Sequence, residues 1–354
     1  MTYSQSVPNI LDEIGKRVEE RIQNLLSGEI QRWGKLNTDL VEPLEVLQKL
    51  VLAGGKRLRP AFCQLAFVGS GGDPLDPILI DTGAALELLH TFAIIHDDIM
   101  DGSLKRRGQQ SVHSYFENKH ISSSLQGESR RFGEGMGILV GDIAFVYSDM
   151  LISQIPASAW KIFTEMRLEV NIGQYLDILS TAQRNTDSSI AKQISIYKSG
   201  KYTVERPLHL GAALAGSLDI LYKPLSEFGL ALGEAFQLKD DLLGVFGEEE
   251  ITGKPVGQDL REGKGTTLIA LASQRANKTS QEIINKKLGS DHLTEEEIYN
   301  LQQIIINTGA RQEIESQIEF LTNQAIQSLG SAPLLDEAKE ELINLARYVA
   351  WRNH

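Results

Sequence analysis

Three aspartates arrive together in the stretch HTFAIIHDDIMDGSLKRRG, residues 90–108: Asp97, Asp98 and Asp101. On a helix, Asp97 and Asp101 lie one turn apart on one face. Two like charges placed behind an apolar run repel each other. A cation between them removes that penalty, and carboxylate oxygens are the donors that Mg²⁺ takes. Gly102 marks the helix end, where the dipole also favours a cation. Alone, the cluster reads equally well as a solvated acidic helix end. A second cluster changes the reading. In AFQLKDDLLGVFG, residues 235–247, Asp240 and Asp241 again follow an apolar helical run with a glycine soon after. Two such helices can face each other across a cavity.

Basic residues gather separately. In GGKRLRP, residues 54–60, two glycines adjoin Lys56, Arg57 and Arg59. Such a loop brings ammonium and guanidinium groups onto a phosphate, or is a plain basic turn between helices. Arg106 and Arg107 follow the first aspartates. Lys198 and Ser199 sit in YKSG, read as a helix break. The stretch 247–265 holds five glycines with Lys254 and Lys264, and reads as a flap able to carry cations over an anion, or as a simple mobile loop. Gln174 and Asp177 in GQYLD are either support for the acidic site or exposed, with support preferred. The division has a chemical logic. Magnesium on a diphosphate neutralises charge that grows as the group leaves. A polyanion held by Lys56, Arg59 and Arg107 without metal can stay attached as a handle.

The elements that must position these groups are helices. Apolar residues recur at helical spacing from Pro8 to Trp33, and Thr38 is a candidate cap for a second helix ending near Ala53. Further helices are expected over 60–68, 75–101, 135–155, 157–183, 188–200 and 225–245. Pro207 is expected to break the helix that follows YKSG. Residues 117–134 are polar and read as a surface loop. Thr294 and Glu297 form a capping-box pattern. No sustained period-two pattern and no linker separates halves, so residues 1–354 read as a single all-α domain.

The chain has 354 residues and a net charge of 35 − 47 = −12, which argues against a nucleic-acid or anionic-membrane binder. Cys63 is the only cysteine, so no intrachain disulfide forms. The first residues lack a signal-peptide core, and no run approaches the roughly 18 apolar residues of a membrane span. A cytoplasmic protein is expected.

In chain order, GGKRLRP, HDDIMD with KRRG, GQYLD, YKSG and FQLKDD resemble the motifs of the trans-isoprenyl diphosphate synthases, and the match extends to the glycine- and lysine-rich flap. The resemblance implies a single large bundle of long helices around a deep central cavity, a homodimer, and condensation of isopentenyl diphosphate with an allylic diphosphate. It implies Mg²⁺, three ions in number, on Asp97, Asp101 and Asp240, with Asp98 and Asp241 in support. Arg106, Lys198, Lys254 and Lys264 would meet the allylic diphosphate. Lys56, Arg59, His90 and Arg107 would grip isopentenyl diphosphate, and Gln237 and Ser199 would line the reacting end. One departure stands out: the second cluster reads DDLLG, with Gly244 where many members carry a third aspartate.

In this family, bulk one turn before the first aspartate limits the product tail. Ala93 lies about 6 Å and Phe92 about 7.5 Å up the axis from Asp97, at about 1.5 Å per residue. Phe92 with a small Ala93 resembles the geranylgeranyl (C20) synthases. Farnesyl synthases often carry aromatics at both positions, and longer-chain enzymes small residues at both. A terpene cyclase needs no second diphosphate site, a phosphohydrolase or di-iron bundle needs further ligands, and a silent regulatory subunit would have lost aspartates or the basic loop.

Overall fold

The computed structural model describes residues 8–183, 187–247, 256–290 and 293–351. Among them the chain is helical, with one two-residue β-hairpin. Helix α1, Asn9–Gly34, buries Leu11, Ile14, Val18, Ile22 and Leu26 on one stripe. A short turn of 3₁₀ helix, Thr38–Leu40, is capped by Asn37 rather than Thr38, and leads into α2, Val41–Leu52. Helix α3, Leu58–Gly69, starts two residues earlier than its apolar pattern suggests.

Helix α4, Pro77–Met100, opens on an Asp76 cap with Pro77 in its first turn, where the missing proline N–H costs nothing. Its most apolar 18-residue window has a mean hydropathy of 1.6, and 61% of that window is buried. By length and composition this helix is apolar enough to cross a membrane, which corrects the expectation from sequence. Its apolarity has a reason within the fold: Ala84, Ala85, Leu86, Leu88 and Leu89 are buried on successive faces, as in a helix packed on several sides.

The polar stretch 117–134 is not a loop. Helix α5, Val112–Ser122, and α6, Ser129–Leu151, leave only residues 123–128 between them. Helix α5 buries His113, Phe116 and His120 at helical spacing. The histidines are satisfied there, His120 Nε2 by the Gln126 carbonyl at 3.1 Å and His113 Nδ1 by the Ser111 hydroxyl at 3.2 Å.

Helix α7, Ala157–Gln183, is followed by α8, Ser188–Ile194, a π-helical run Ser195–Glu205, and α9, Arg206–Leu214. Backbone angles at Ser195, Glu205 and Arg206 are all right-handed helical. YKSG is therefore no break, and Pro207 does not end the helix. The wider π turn places Lys198 and Ser199 inside a continuous rod, and such insertions concentrate at functional sites. Helix α10, Leu218–Phe246, carries the second aspartates. Smaller helices follow: α11 Gln258–Glu262, α12 Thr267–Arg275, α13 Lys278–Lys287, α14 Glu295–Asn307, α15 Ala310–Ser328 and α16 Asp336–Trp351. Thr294 and Glu297 form the capping box at the start of α14.

Candidate active site

The end of α4 sets the site. Gly102 takes a left-handed φ of 67°, and the Ser103 N–H returns to the Asp98 carbonyl at 2.8 Å. This closes the helix as a glycine C′ residue does. The hairpin pairs Lys105 with Gln110 and Arg106 with Gln109. Its turn residues, Arg107 and Gly108, both have positive φ, the geometry that matches strand twist. The hairpin folds Arg106 back onto Asp98, its Nε donating at 2.8 Å, and sets Arg107 on a cavity wall.

Two adjoining cavities, of about 370 Å³ and about 500 Å³, share Lys56, Asp97, Lys198, Ser199 and Asp240 as wall residues. The first is basic and partly apolar, lined also by Arg59, His90, Phe92, Ala93, Arg107 and Tyr202. The second is acidic, lined also by Asp177, Gln237, Asp241, Asp259 and Lys264. The two aspartate-bearing helices therefore face one space.

In the acidic lobe, Asp97 Oδ1 accepts hydrogen bonds from Gln174 Nε2 at 2.9 Å and Lys198 Nζ at 3.1 Å. Lys198 also reaches Asp177 at 2.6 Å. Burial works to raise the Asp97 carboxyl, but Lys198, Lys264 and Arg106 outweigh it and hold it below the usual range. Asp101 is raised, by burial first and then by Asp97 and Glu262, against the pull of Lys264. Lys264 lies 2.6 Å from Glu262 and 3.5 Å from Asp101. Burial pushes the Asp241 carboxyl up to about 8, although Gln237 donates to it at 2.8 Å. The close approach of α7 to the π-helical run is set by Gly173, where a Cβ would lie 2.7 Å from Lys198 Cα.

The basic lobe has unmatched charge. Arg57 is neutralised by Glu87 and Glu19 and donates to the Val51 carbonyl at 2.6 Å. Among the described residues no carboxylate pairs with Arg59 or Arg107. Arg59 lies over the Tyr202 ring at 4.3 Å and donates to Thr203 Oγ1 at 2.9 Å. Burial, then the charges of Arg59, Arg107, Arg106 and Arg57, hold His90 neutral, well below its ordinary value. Its Nδ1 and the Arg59 Nε are buried with no protein partner among the described residues. Buried polar atoms left so are ordinarily met by a ligand or water.

Of the candidates from sequence, Lys56, Arg59, His90, Phe92, Ala93, Asp97, Arg107, Lys198, Ser199, Gln237, Asp240, Asp241 and Lys264 all stand on this double cavity. Asp101 is tied to it through Lys264. Asp98 and Arg106 differ from expectation. Asp98 is 1% exposed and bound to Arg106, so it stands behind the wall and fixes the arginine, with neither residue on the lining. Lys254 lies outside the described residues. Sequence reasoning missed Asp259, Tyr202 and Thr203, whose only signal was proximity to motifs already singled out.

The donor set fits magnesium, because the residues facing the acidic lobe offer carboxylate oxygens. Mg²⁺ is held in this way, through one or two carboxylates, retained water and substrate phosphate.

The polyprenyl synthetase family profile matches residues 42–305. A geranylfarnesyl diphosphate synthase of Aeropyrum pernix is 32% identical over 305 residues, 84% of this chain and 89% of that protein. A geranylgeranyl diphosphate synthase of Sulfolobus acidocaldarius is 30% identical over 311 residues, 84% of each. The solved geranylgeranyl pyrophosphate synthase of Corynebacterium glutamicum, complexed with isoprenyl diphosphate and magnesium, superposes with a TM-score of 0.91 at 34% identity, covering 96% of this chain and 99% of that one. The chain belongs to the polyprenyl synthetase family.

Proposed function

We propose that this protein is a trans-prenyltransferase that joins isopentenyl diphosphate to an allylic diphosphate and makes geranylgeranyl diphosphate, C20, as its main product. The observation that carries this reading is the pairing of an acidic lobe with a basic lobe through five shared wall residues. The acidic lobe takes the diphosphate that leaves. Asp97, Asp101 and Asp240 would hold three Mg²⁺ ions there, whose positive charge stabilises the departing diphosphate. Lys198 and Lys264 add fixed cations to the same place, and Arg106 braces Asp97 from behind at 3.5 Å. The basic lobe holds isopentenyl diphosphate through Lys56, Arg59 and Arg107, with His90 neutral beside them.

Loss of the allylic diphosphate leaves a delocalised carbocation. The double bond of isopentenyl diphosphate attacks it, and a proton leaves the condensed cation for the released diphosphate. Water must be kept from this cation, which it would quench. Phe92 and Ala93 line the basic lobe, where the tail extends. Phe92 is fixed edge-on to His96 at 4.6 Å and against Phe145 at 4.9 Å between ring centres.

Residues 1–354 form one helical domain in this reading, since α10 runs through both the main apolar cluster, with Leu225 and Leu232, and the C-terminal one, with Leu238 and Val245. The protein works as a homodimer in the cytoplasm. Support for the dimer is an exposed apolar face on α6, with Ile138, Val146 and Met150, beside one on α7, with Leu168, Ile172 and Tyr175. The test is incubation with labelled isopentenyl diphosphate and dimethylallyl, geranyl or farnesyl diphosphate in turn. C20 alcohols are expected after dephosphorylation; no condensation with any primer overturns the reading.

A further inference from the structure

Gly244 stands one turn after Asp240 on α10, on the face that looks into the acidic lobe. The space a side chain would fill there is taken. A Cβ built on Gly244 would overlap Oδ2 of Asp259 and lie 2.9 Å from its Oδ1. Asp259 belongs to the short helix α11, and its carboxylate lines the same lobe as Asp240 and Asp241. We propose that Asp259 is the third carboxylate of the second aspartate cluster, delivered from α11 into the seat that a residue-244 side chain would occupy. Gly244 is the feature that admits it.

Three features of the local structure hold Asp259 in that seat. Gly257 and Gly263 flank α11, both with positive φ. The Asp259 backbone carbonyl accepts the Lys264 backbone N–H at 3.1 Å, which closes α11 and fixes the main chain of both residues. Leu260, the next residue, is fully buried in the C-terminal apolar cluster and anchors the turn. The third acid therefore comes from the segment that also carries Lys264, so anchoring one positions the other.

The proposal predicts that positions 244 and 259 are interchangeable as sources of one carboxylate. It rests on the functional reading above, and the test separates the two. Uptake of Mn²⁺ in the presence of inorganic pyrophosphate is read by electron paramagnetic resonance, and folding is checked by thermal melting of each variant. Asp259→Ala and the isosteric Asp259→Asn are expected to weaken Mn²⁺ uptake by roughly tenfold or more. Gly244→Ala should do the same by pushing Asp259 out. Gly244→Asp combined with Asp259→Ala should return uptake to within about threefold of the parent, the threefold being our margin for imperfect placement. Unchanged uptake in Asp259→Asn, or a double variant no better than Asp259→Ala, overturns the proposal. A parent protein that takes up no Mn²⁺ with pyrophosphate instead overturns the functional reading on which it stands.

Discussion

Lys198 Nζ lies 3.1 Å from Oδ1 of Asp97, across from the helix that carries the first aspartate cluster. The lysine is mostly buried, and burial works against its charge. Asp97 and Asp177 outweigh that penalty and raise its pKa. A cation is thus already in place where a departing diphosphate would gather negative charge. Lys198→Gln is expected to lower kcat by about 10²-fold, the scale for removing one preorganised charge from a transition state. It should also raise the Mg²⁺ concentration for half-maximal rate, because Asp97 loses a hydrogen bond that orients it. Rates across a magnesium titration check this, and a variant with unchanged kcat at saturating metal would refute the role.

The basic lobe makes a separable prediction. Arg59 is gripped from two sides, by the Tyr202 ring and the Thr203 hydroxyl, so its planar fork is preorganised. Lysine cannot reproduce that geometry. Arg59→Lys should raise KM for isopentenyl diphosphate by roughly tenfold or more, the loss expected for a charge-assisted hydrogen bond. KM for the allylic diphosphate should stay within about threefold, since the proposed function assigns that substrate to other groups. Equal effects on both substrates would mean that the lobes are wrongly assigned.

Product length is tested at the wall of α4. Ala93 lines the cavity beside Phe92, whose ring is already fixed between His96 and Phe145. Ala93→Phe adds a second ring next to the first and should shift the product from C20 towards C15. Phe92→Ala opens the wall and should lengthen it. Chromatography of the dephosphorylated alcohols distinguishes the outcomes. Identical products from both variants would place the floor elsewhere, on residues such as Leu86 or Leu89 deeper along the helix.

Which of these groups could be read from residues alone follows from what their environment demands. Asp97, Asp101, Asp240 and the GGKRLRP loop stand out because charge placed behind apolar helical runs needs a compensating partner. The long helices follow from stripes such as Leu11, Ile14, Val18 and Ile22. The π-helical run was not legible. Gly200 and Pro207 are ordinary stop signals, and only packing against α7, through Gly173, and against α10 shows that the rod continues. The polar stretch 117–134 hid the end of a helix because His120 is buried through a hydrogen bond, which no hydropathy pattern records. Asp259 was invisible for a related reason: its meaning depends on an absent side chain at Gly244, fifteen positions earlier.

The last prediction concerns stability and acid. His209 is fully buried, stacked on Tyr222 at 4.3 Å between ring centres. Its Nε2 lies 3.0 Å from the Tyr222 carbonyl, which only accepts, so Nε2 carries the proton. Nδ1 then faces Arg206 Nη1 at 3.3 Å as an acceptor. A second proton would set an N–H against a guanidinium. Burial first, and Arg206 with it, hold the imidazole at about 4, below its ordinary 6.5. The unfolded chain therefore binds a proton near pH 6.5 and the folded chain only near 4. Stability must fall as the pH drops through that window and level off below it, by roughly 3 kcal/mol from this group. Urea midpoints at pH 7.5, 5.5 and 4.5 measure the slope. His209→Gln, which cannot titrate, should be less stable at pH 7.5 yet lose less on acidification. The same pH slope in both proteins would show that His209 does not set it.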